Sequence, residues 1–238
     1  MSSPDEIEAK ISELLDNYYM RRMAKINDLK LIEALKRKNP YLYRANGVED
    51  ASEIIEQLLA AYMSSSDEGI FGDAFFEPLA KFVSGGSVSA TEGVDIIIET
   101  STTYKAIAVK SGTSVFNSDS LKRQQQNFES LGARIQKLHK HYDPIIGYCY
   151  GKKKPRKLSQ IRKLAGQDFW MEITGDSEFY LKIIRLMKNK PQEHIPLYKK
   201  SLGAAINRFT KEFVEKFCDE NGCINWDKLL AFNSGNEN

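Results

Sequence analysis

The sequence has few cysteines and histidines and no long apolar run. Its three cysteines, Cys149, Cys218 and Cys223, are an odd number, which argues against a disulfide framework. Cys218 and Cys223 lack the matching second pair that a structural zinc site requires. No segment approaches the roughly 18 consecutive apolar residues of a membrane span, and the polar start of the chain lacks a secretory signal. We therefore expect a cytoplasmic protein without a membrane partner.

Motifs for nucleotide chemistry are also missing. The chain contains no GxxxxGK[ST] sequence and no GxGxxG at a strand-to-helix junction, so neither a nucleotide-driven motor nor a dinucleotide enzyme is indicated. His139 and His141 lie two apart on a predicted helix and would diverge, and His194 is isolated. Serine or cysteine nucleophile chemistry therefore lacks a histidine partner.

Positive charge is concentrated in one segment, although the net charge is only +2. Residues 151–165 contain seven basic side chains and no acidic one, a density that can neutralise several phosphates. They follow the apolar residues 144–150, which we expect to form a strand. The alternative is an ordinary solvated loop. The candidates for binding DNA phosphates are Lys152, Lys153, Lys154, Arg156 and Lys157.

Residues 93–112 carry the pattern of a β-hairpin. Two apolar stretches, residues 94–99 and 106–109, are separated by a Ser-Thr-Thr cluster that supplies the turn. Each stretch is long enough for one strand, so the segment predicts two antiparallel strands joined by a short polar connection.

One acid and one lysine stand at the open ends of these two strands. Directly opposed residues of an antiparallel pair share a face, so Asp95 faces Lys110 only if the connection has an even number of residues. A four-residue connection, residues 101–104, satisfies this and pairs Ile97 with Ala108. Charges flanked by apolar strand are costly to bury unless they pair with each other or with a metal ion. A purely structural ion pair at a sheet edge is the alternative.

The hairpin resembles the core of the PD-(D/E)XK nuclease superfamily. In that superfamily an acid opens one strand, a second acid and a lysine lie two apart on the next strand, and a helix follows. The matching residues are Val94-Asp95 and Ala108-Val109-Lys110, followed by the frequent Ser111-Gly112. Valine replaces the proline at position 94, and alanine replaces the second acid at position 108. The chain looks most like a type II restriction endonuclease.

The resemblance implies Mg2+-dependent hydrolysis of DNA phosphodiester bonds. It makes Asp95 the central metal ligand and the backbone carbonyl of Val109 a second ligand. Lys110 would hold the attacking water and stabilise phosphate charge. Such a site needs hard oxygen ligands, which suits Mg2+.

Ala108 cannot provide the usual second carboxylate, and four accounts remain open. Glu77, on the helix before the hairpin, is the first choice as catalytic residue and metal ligand. A residue of the following helix could replace it, and the candidates are Gln124, Gln125 and Glu129. Ala108 could be an introduced inactivating substitution, or the protein no longer cuts. Glu92 is a further candidate.

The rest of the chain gives the order helix, hairpin, helix, strand, which matches the superfamily core. The resemblance therefore implies an α/β fold of restriction-endonuclease-like type, with a central mixed sheet flanked by helices. We expect a helical region over residues 1–65, the nuclease core over residues 66–165 and a mainly helical region over residues 166–238, together in one compact domain. A capping cluster at residues 117–119 predicts a helix that runs to about His141.

The resemblance implies a type II restriction endonuclease that acts on a short specific site in double-stranded DNA. A homodimer is expected, because two-fold protein symmetry matches a palindromic site. The alternatives are an inactive nuclease-fold protein that only binds DNA and a junction-resolving or repair nuclease of the same fold.

Overall fold

The computed structural model describes residues 3–154 and 160–236. Within them lie ten α-helices: α1 (Pro4–Asn27), α2 (Leu31–Leu35), α3 (Pro40–Ala45), α4 (Ala51–Phe71), α5 (Glu77–Ser84), α6 (Ser118–Ile135), α7 (Gln167–Thr174), α8 (Phe179–Met187), α9 (Lys190–Phe217) and α10 (Trp226–Ser234). The strands are β1 (Ser87–Val88), β2 (Ile96–Glu99), β3 (Thr103–Lys110), β4 (His141–Tyr148) and β5 (Arg162–Ala165). A π-helical turn, Gly72–Phe76, joins α4 to α5, and a 3-10 turn, Gln136–Leu138, follows α6.

The five strands form one mixed sheet in the order β1-β2-β3-β4-β5. The pairs β1–β2 and β2–β3 are antiparallel, whereas β3–β4 and β4–β5 are parallel. A parallel neighbour requires a crossover connection, and α6 supplies it between β3 and β4. The predicted α/β class with a central mixed sheet and flanking helices is confirmed.

The hairpin forms with a register two residues away from the predicted one. Ile97 pairs with Ala106 rather than with Ala108, and the last pair before the turn is Glu99 with Tyr104. The reason lies in the turn, where the Thr100 hydroxyl accepts a hydrogen bond from the Thr103 amide at 3.0 Å. The connection is therefore residues 100–103. A shift of two residues keeps every side chain on its predicted face.

The helix after the hairpin begins as predicted. The Asn117 side chain accepts a hydrogen bond from the Ser120 amide, and the Ser120 hydroxyl accepts one from the Asn117 amide, which is a capping box. The helical segment ends earlier than the predicted His141, because His139 adopts a positive φ of 53° and β4 already begins at His141.

The chain divides into two compact units, with bounds that differ from the three consecutive regions expected from the sequence. The first comprises residues 1–18 and 69–191 and contains the sheet, and the second comprises residues 19–68 and 192–238 and is helical. Three helices, α1, α4 and α9, contribute residues to both.

Each unit has its own apolar core. In the first unit, alternation along β3 sends Ile107 and Val109 to one face of the sheet, against α5 and α7, and sends Ala106 and Ala108 to the other, against α6. In the second unit, the core contains Ile55 of α4 and Phe213 of α9, both fully buried. Of the described helices, none is long and apolar enough to cross a membrane.

Candidate active site

One end of the sheet brings the hairpin residues together with the end of β4. Lys110 is the last residue of β3, and Tyr148 is the last residue of the parallel strand β4. Asp95 immediately precedes β2, which runs antiparallel to β3. Because parallel strands end at the same edge and an antiparallel neighbour begins there, all three lie at one end of the sheet.

The Asp95 carboxylate is fixed by the backbone of β3. One carboxylate oxygen accepts a hydrogen bond from the Val109 amide at 2.7 Å, and the Asp95 amide donates to the Ile107 carbonyl at 2.8 Å. Asp95 therefore lies beside residues 107–109 and not directly opposite Lys110, as the two-residue register shift requires.

The environment of Asp95 disfavours its charge in the metal-free protein. Burial raises the pKa of Asp95 above its ordinary value, and the negative charge of Glu77 raises it further. The Val109 amide and the positive charges of Lys110 and Lys81 act in the opposite direction, but burial prevails. A bound cation would relieve both the burial cost and the repulsion between the two acids.

The Val109 carbonyl points toward the Asp95 side of β3. Backbone groups of successive strand residues alternate between the two neighbouring strands. The Lys110 carbonyl accepts a hydrogen bond from the Cys149 amide beyond the end of β4, whereas the Val109 amide donates to Asp95. The carbonyl of Val109 lies on the same side as its amide, beyond the last ladder pair of β2 and β3.

Glu77 reaches this end of the sheet from α5. Its carboxylate forms an ion pair of 2.5 Å with Lys81, one helical turn later, and both side chains are about one third exposed or less. The charges of both residues influence the pKa of Asp95, so the two side chains lie within electrostatic range of it. Lys81 was missed by the sequence reasoning, although its i,i+4 spacing from Glu77 is a readable signal.

A π-helical turn delivers Glu77 to this position. Proline lacks an amide and clashes with the preceding turn, so Pro78 alone predicts a helix that starts at Glu77. The chain instead runs helically from α4 into α5, because the wider turn lets the Glu77 amide donate to the Gly72 carbonyl. A side chain at Gly72 would collide with Ser111, which follows Lys110. The helix and the end of β3 are thus in direct contact.

Cys149 is a second residue that the sequence reasoning missed. Its side chain is buried, and burial together with the charges of Glu77 and Asp95 raises the pKa of its thiol. The residue directly follows β4, and no motif in the sequence marks it. The thiol therefore stays neutral within electrostatic range of the two carboxylates.

The three candidates on α6 separate into two groups. Gln124 is buried, and its side-chain amide donates to the Gly93 carbonyl at 2.7 Å, so it braces the turn before Asp95. Gln125 and Glu129 line a cleft with His141 and Tyr142, which begin β4. That cleft lies at the opposite end of β4 from Cys149.

Ala108 and Glu92 lie in surroundings that differ from the partly buried, charged surroundings of Glu77. Ala108 is fully buried in the apolar cluster that α6 covers, which also contains Val94 and Phe128. Glu92 is exposed and forms an ion pair with Arg123 of α6.

The basic segment leaves the sheet from the same end. Lys152, Lys153 and Lys154 follow β4 and are exposed, and the Lys153 ammonium lies 5.5 Å from the centroid of the Tyr148 ring. Arg156 and Lys157 lie outside the described residues.

The residues at this site fit a hard divalent cation with a water-rich shell. Among the described residues, no group of three or more His, Cys, Asp or Glu side chains is placed to hold a metal ion. Mg2+ needs fewer protein ligands than three, because it keeps several waters and binds through one or two carboxylates. Asp95, Glu77 and the Val109 carbonyl are oxygen donors of this kind.

A comparison with known protein families identifies the chain's relatives. The family model described as Type II restriction endonuclease EcoO109I matches residues 5–194. The matched segment includes the whole sheet and every residue of the site described above. No curated protein gives a significant match to the sequence.

Proposed function

Because the chain belongs to the family of the type II restriction endonuclease EcoO109I, we propose that it cleaves double-stranded DNA at a short specific site with Mg2+. The observation that carries the proposal is the partly buried Asp95 carboxylate, held by the Val109 amide within electrostatic range of Glu77 and Lys110. The family has the activity of a restriction endonuclease, which implies DNA binding and typically a divalent metal. The metal identity and the site residues are our inference.

Mg2+ would be held by the Asp95 and Glu77 carboxylates and the Val109 carbonyl. When bound, such an ion lowers the pKa of a water and offsets charge that develops on the phosphate. Asp95 is preset for this role because the Val109 amide holds one carboxylate oxygen, which leaves the other free to bind. Glu77 supplies the second carboxylate that Ala108 does not.

Two lysines provide positive charge within electrostatic range of the Asp95 carboxylate. Lys110, at the end of β3, orients the attacking water and donates to a phosphate oxygen. Lys81 forms an ion pair with Glu77 and would be available to the phosphate if Glu77 held a cation. Compensating positive charge of this kind matters most in a site that excludes water.

Plasmid digestion tests the function directly. Purified protein with Mg2+ should convert plasmid DNA into discrete fragments with uniform ends, and EDTA should prevent this. Retained binding without cleavage would instead support the inactive alternative, which Ala108 motivates. Cleavage confined to branched DNA would support a junction-resolving or repair nuclease. Light scattering tests the oligomeric state, and a homodimer would accord with a palindromic site.

Replacing Glu77 by glutamine should weaken metal binding. The amide keeps the size of the side chain but loses the charge, so the Mg2+ concentration for half-maximal cleavage should rise roughly 10- to 100-fold. Titration of cleavage rate against Mg2+ measures the change. Asp73→Asn, at an exposed acid on the preceding turn, is the control. An unchanged Mg2+ requirement in Glu77→Gln would remove Glu77 from the site.

Neutralising Lys152, Lys153 and Lys154 should weaken DNA binding by a similar factor for every sequence. Each lost phosphate contact lowers the slope of log Kd against log salt concentration by about one. Fluorescence anisotropy with two unrelated duplexes at several salt concentrations measures both effects. Loss of affinity for only one duplex would contradict a backbone role.

A further inference from the structure

The helical unit carries a second basic surface, at the turn between α2 and α3. Lys36, Arg37 and Lys38 are consecutive, and the first two are exposed while the third is partly buried. Residues 30–48 contain five basic side chains and one acidic one. This segment is separate in sequence from the basic run that follows β4.

The turn is held in place by a residue from the far end of the chain. The Asn233 side-chain amide of α10 donates to the carbonyls of both Leu35 and Lys38, each at 3.0 Å. On the other side, Asn39 caps α3 by accepting a hydrogen bond from the Leu42 amide. Leu35 itself is buried, so the backbone that carries the three cations is anchored from both sides.

A polar groove of about 470 Å³ opens beside the turn. Its lining includes the basic residues Lys25, Lys30, Arg37 and Lys38 and the hydroxyl-bearing residues Ser65 and Ser66. Two acids, Asp28 and Glu33, also line it. Hydroxyls and cations together are the usual donors to phosphate oxygens.

These cations differ from those that carboxylates neutralise on the protein surface. Elsewhere, cations such as Arg22, Lys105 and Arg162 are paired with carboxylates. In the described part of the chain, neither Lys36, Arg37 nor Lys38 lies in an ion pair, although Asp28 and Glu33 are in the same groove. Because the backbone of the turn is already held by hydrogen bonds, little order would be lost on binding, and three cations without an ion-pair partner among the described residues favour contact with a polyanion.

We propose that the Lys36–Lys38 turn and its groove bind the phosphate backbone of duplex DNA. The inference rests on the proposed function, which supplies duplex DNA as the polyanion. Contacts of this kind add affinity and fix the orientation of the duplex without reading its sequence. The helical unit is thus a DNA-binding part of the enzyme and not only a support for the fold.

The test compares DNA binding by the full-length protein and its variants in Ca2+, so that cleavage does not interfere. The triple variant Lys36→Gln, Arg37→Gln, Lys38→Gln should bind any duplex about tenfold more weakly at moderate salt. Its slope of log Kd against log salt concentration should fall by about 2 to 3, because each phosphate contact contributes about 0.9. The matched control changes three exposed lysines of α9, Lys199, Lys200 and Lys216, to glutamine and should keep the wild-type slope.

Asn233→Ala tests whether the turn must be held. This variant keeps every charge, so we expect a few-fold weaker affinity with less change in the salt slope. The result that overturns the inference is a triple variant with wild-type affinity and slope, or one that weakens RNA binding alone. If the wild type cuts duplex DNA while the triple variant binds normally, only this inference fails. If the wild type neither binds nor cuts duplex DNA, the proposed function fails with it.

Discussion

Asp95→Asn is expected to reduce Mg2+-dependent cleavage by about 10³-fold or more, because it removes the central charged ligand of the proposed site. Asparagine keeps an oxygen that can accept the hydrogen bond from the Val109 amide, so the local structure should persist. Single-turnover cleavage of a plasmid at saturating Mg2+ measures the rate. Binding of the same DNA in Ca2+ shows whether the variant still recognises its substrate.

The same substitution should stabilise the metal-free protein, which distinguishes loss of a ligand from damage to the fold. Burial raises the folded-state pKa of Asp95, so its ionised form destabilises the native state at neutral pH. This destabilisation disappears as the pH falls through the folded pKa toward the unfolded one, because the carboxyl is then protonated in both states. In EDTA, the difference in unfolding free energy between variant and wild type should therefore be largest near neutral pH and close on acidification.

Glu92→Gln is the matched control for Asp95→Asn. Glu92 is an exposed acid three residues earlier, paired with Arg123 on the surface. Its loss should change cleavage little, since exposed ion pairs contribute at most about 1 kcal/mol. Equal losses of activity in the two variants would show that charge near the turn matters in general and would contradict a specific role for Asp95.

The hairpin itself could be predicted because it is governed by local sequence. Apolar strands around a polar turn, and the alternation of faces, placed Asp95 and Lys110 on neighbouring strands at one end of the sheet. The register could not be predicted, because it depends on which threonine closes the turn. The Thr100 hydroxyl makes that choice, and its hydrogen bond to Thr103 is visible only in the structure.

The sequence also could not decide which helix residue replaces the carboxylate that is missing at position 108. Gln124, Gln125 and Glu129 are all on α6, and only the packing of that helix decides that Gln124 faces the turn before Asp95. Glu77 was the first choice, but its position depends on the π-helical turn that joins α4 to α5. Pro78 alone predicts a helix that begins at Glu77, so the sequence does not reveal this continuous path. Its assignment as a metal ligand stays a prediction.

The second compact unit could not be predicted from the sequence, for a different reason. Its core joins residues 19–68 with residues 192–238, segments separated by the whole sheet-bearing unit. Helical periodicity identifies the apolar face of each helix but not the helix that packs against it, because any two apolar faces can pack together. The buried contacts of Phe209 and Phe213 with the helices near the start of the chain follow only from the fold.

Gly147→Val should destabilise the first unit by about 3 kcal/mol, since insertion of bulk into a packed interior forces its neighbours out of place. Gly147 lies in β4 and pairs with Val109, whose backbone holds Asp95. A Cβ atom here would lie 3.0 Å from Cζ of Phe169 and closer to two other carbons of that ring. The ring is fully buried, so it has no solvent side to move toward. Urea unfolding monitored by tryptophan fluorescence measures the loss.

Gly69→Ala is the control, because nothing lies within 4 Å of the position its side chain would take. It is on the exposed surface of α4, where alanine is favoured over glycine by up to about 1 kcal/mol, so the variant should be slightly more stable than wild type.

A double-mutant cycle with Phe169→Ala tests the mechanism behind the Gly147→Val prediction. Phe169→Ala alone should cost about 3 to 5 kcal/mol because it leaves a cavity under the sheet. If the valine is harmful because it occupies the space of the ring, it should fill part of that cavity, and the double variant should be markedly more stable than the sum of the two losses predicts. Simple additivity would mean that the valine acts elsewhere, through the β3–β4 pairing that supports Val109 and Asp95. The cycle thus separates packing behind the site from strain within it.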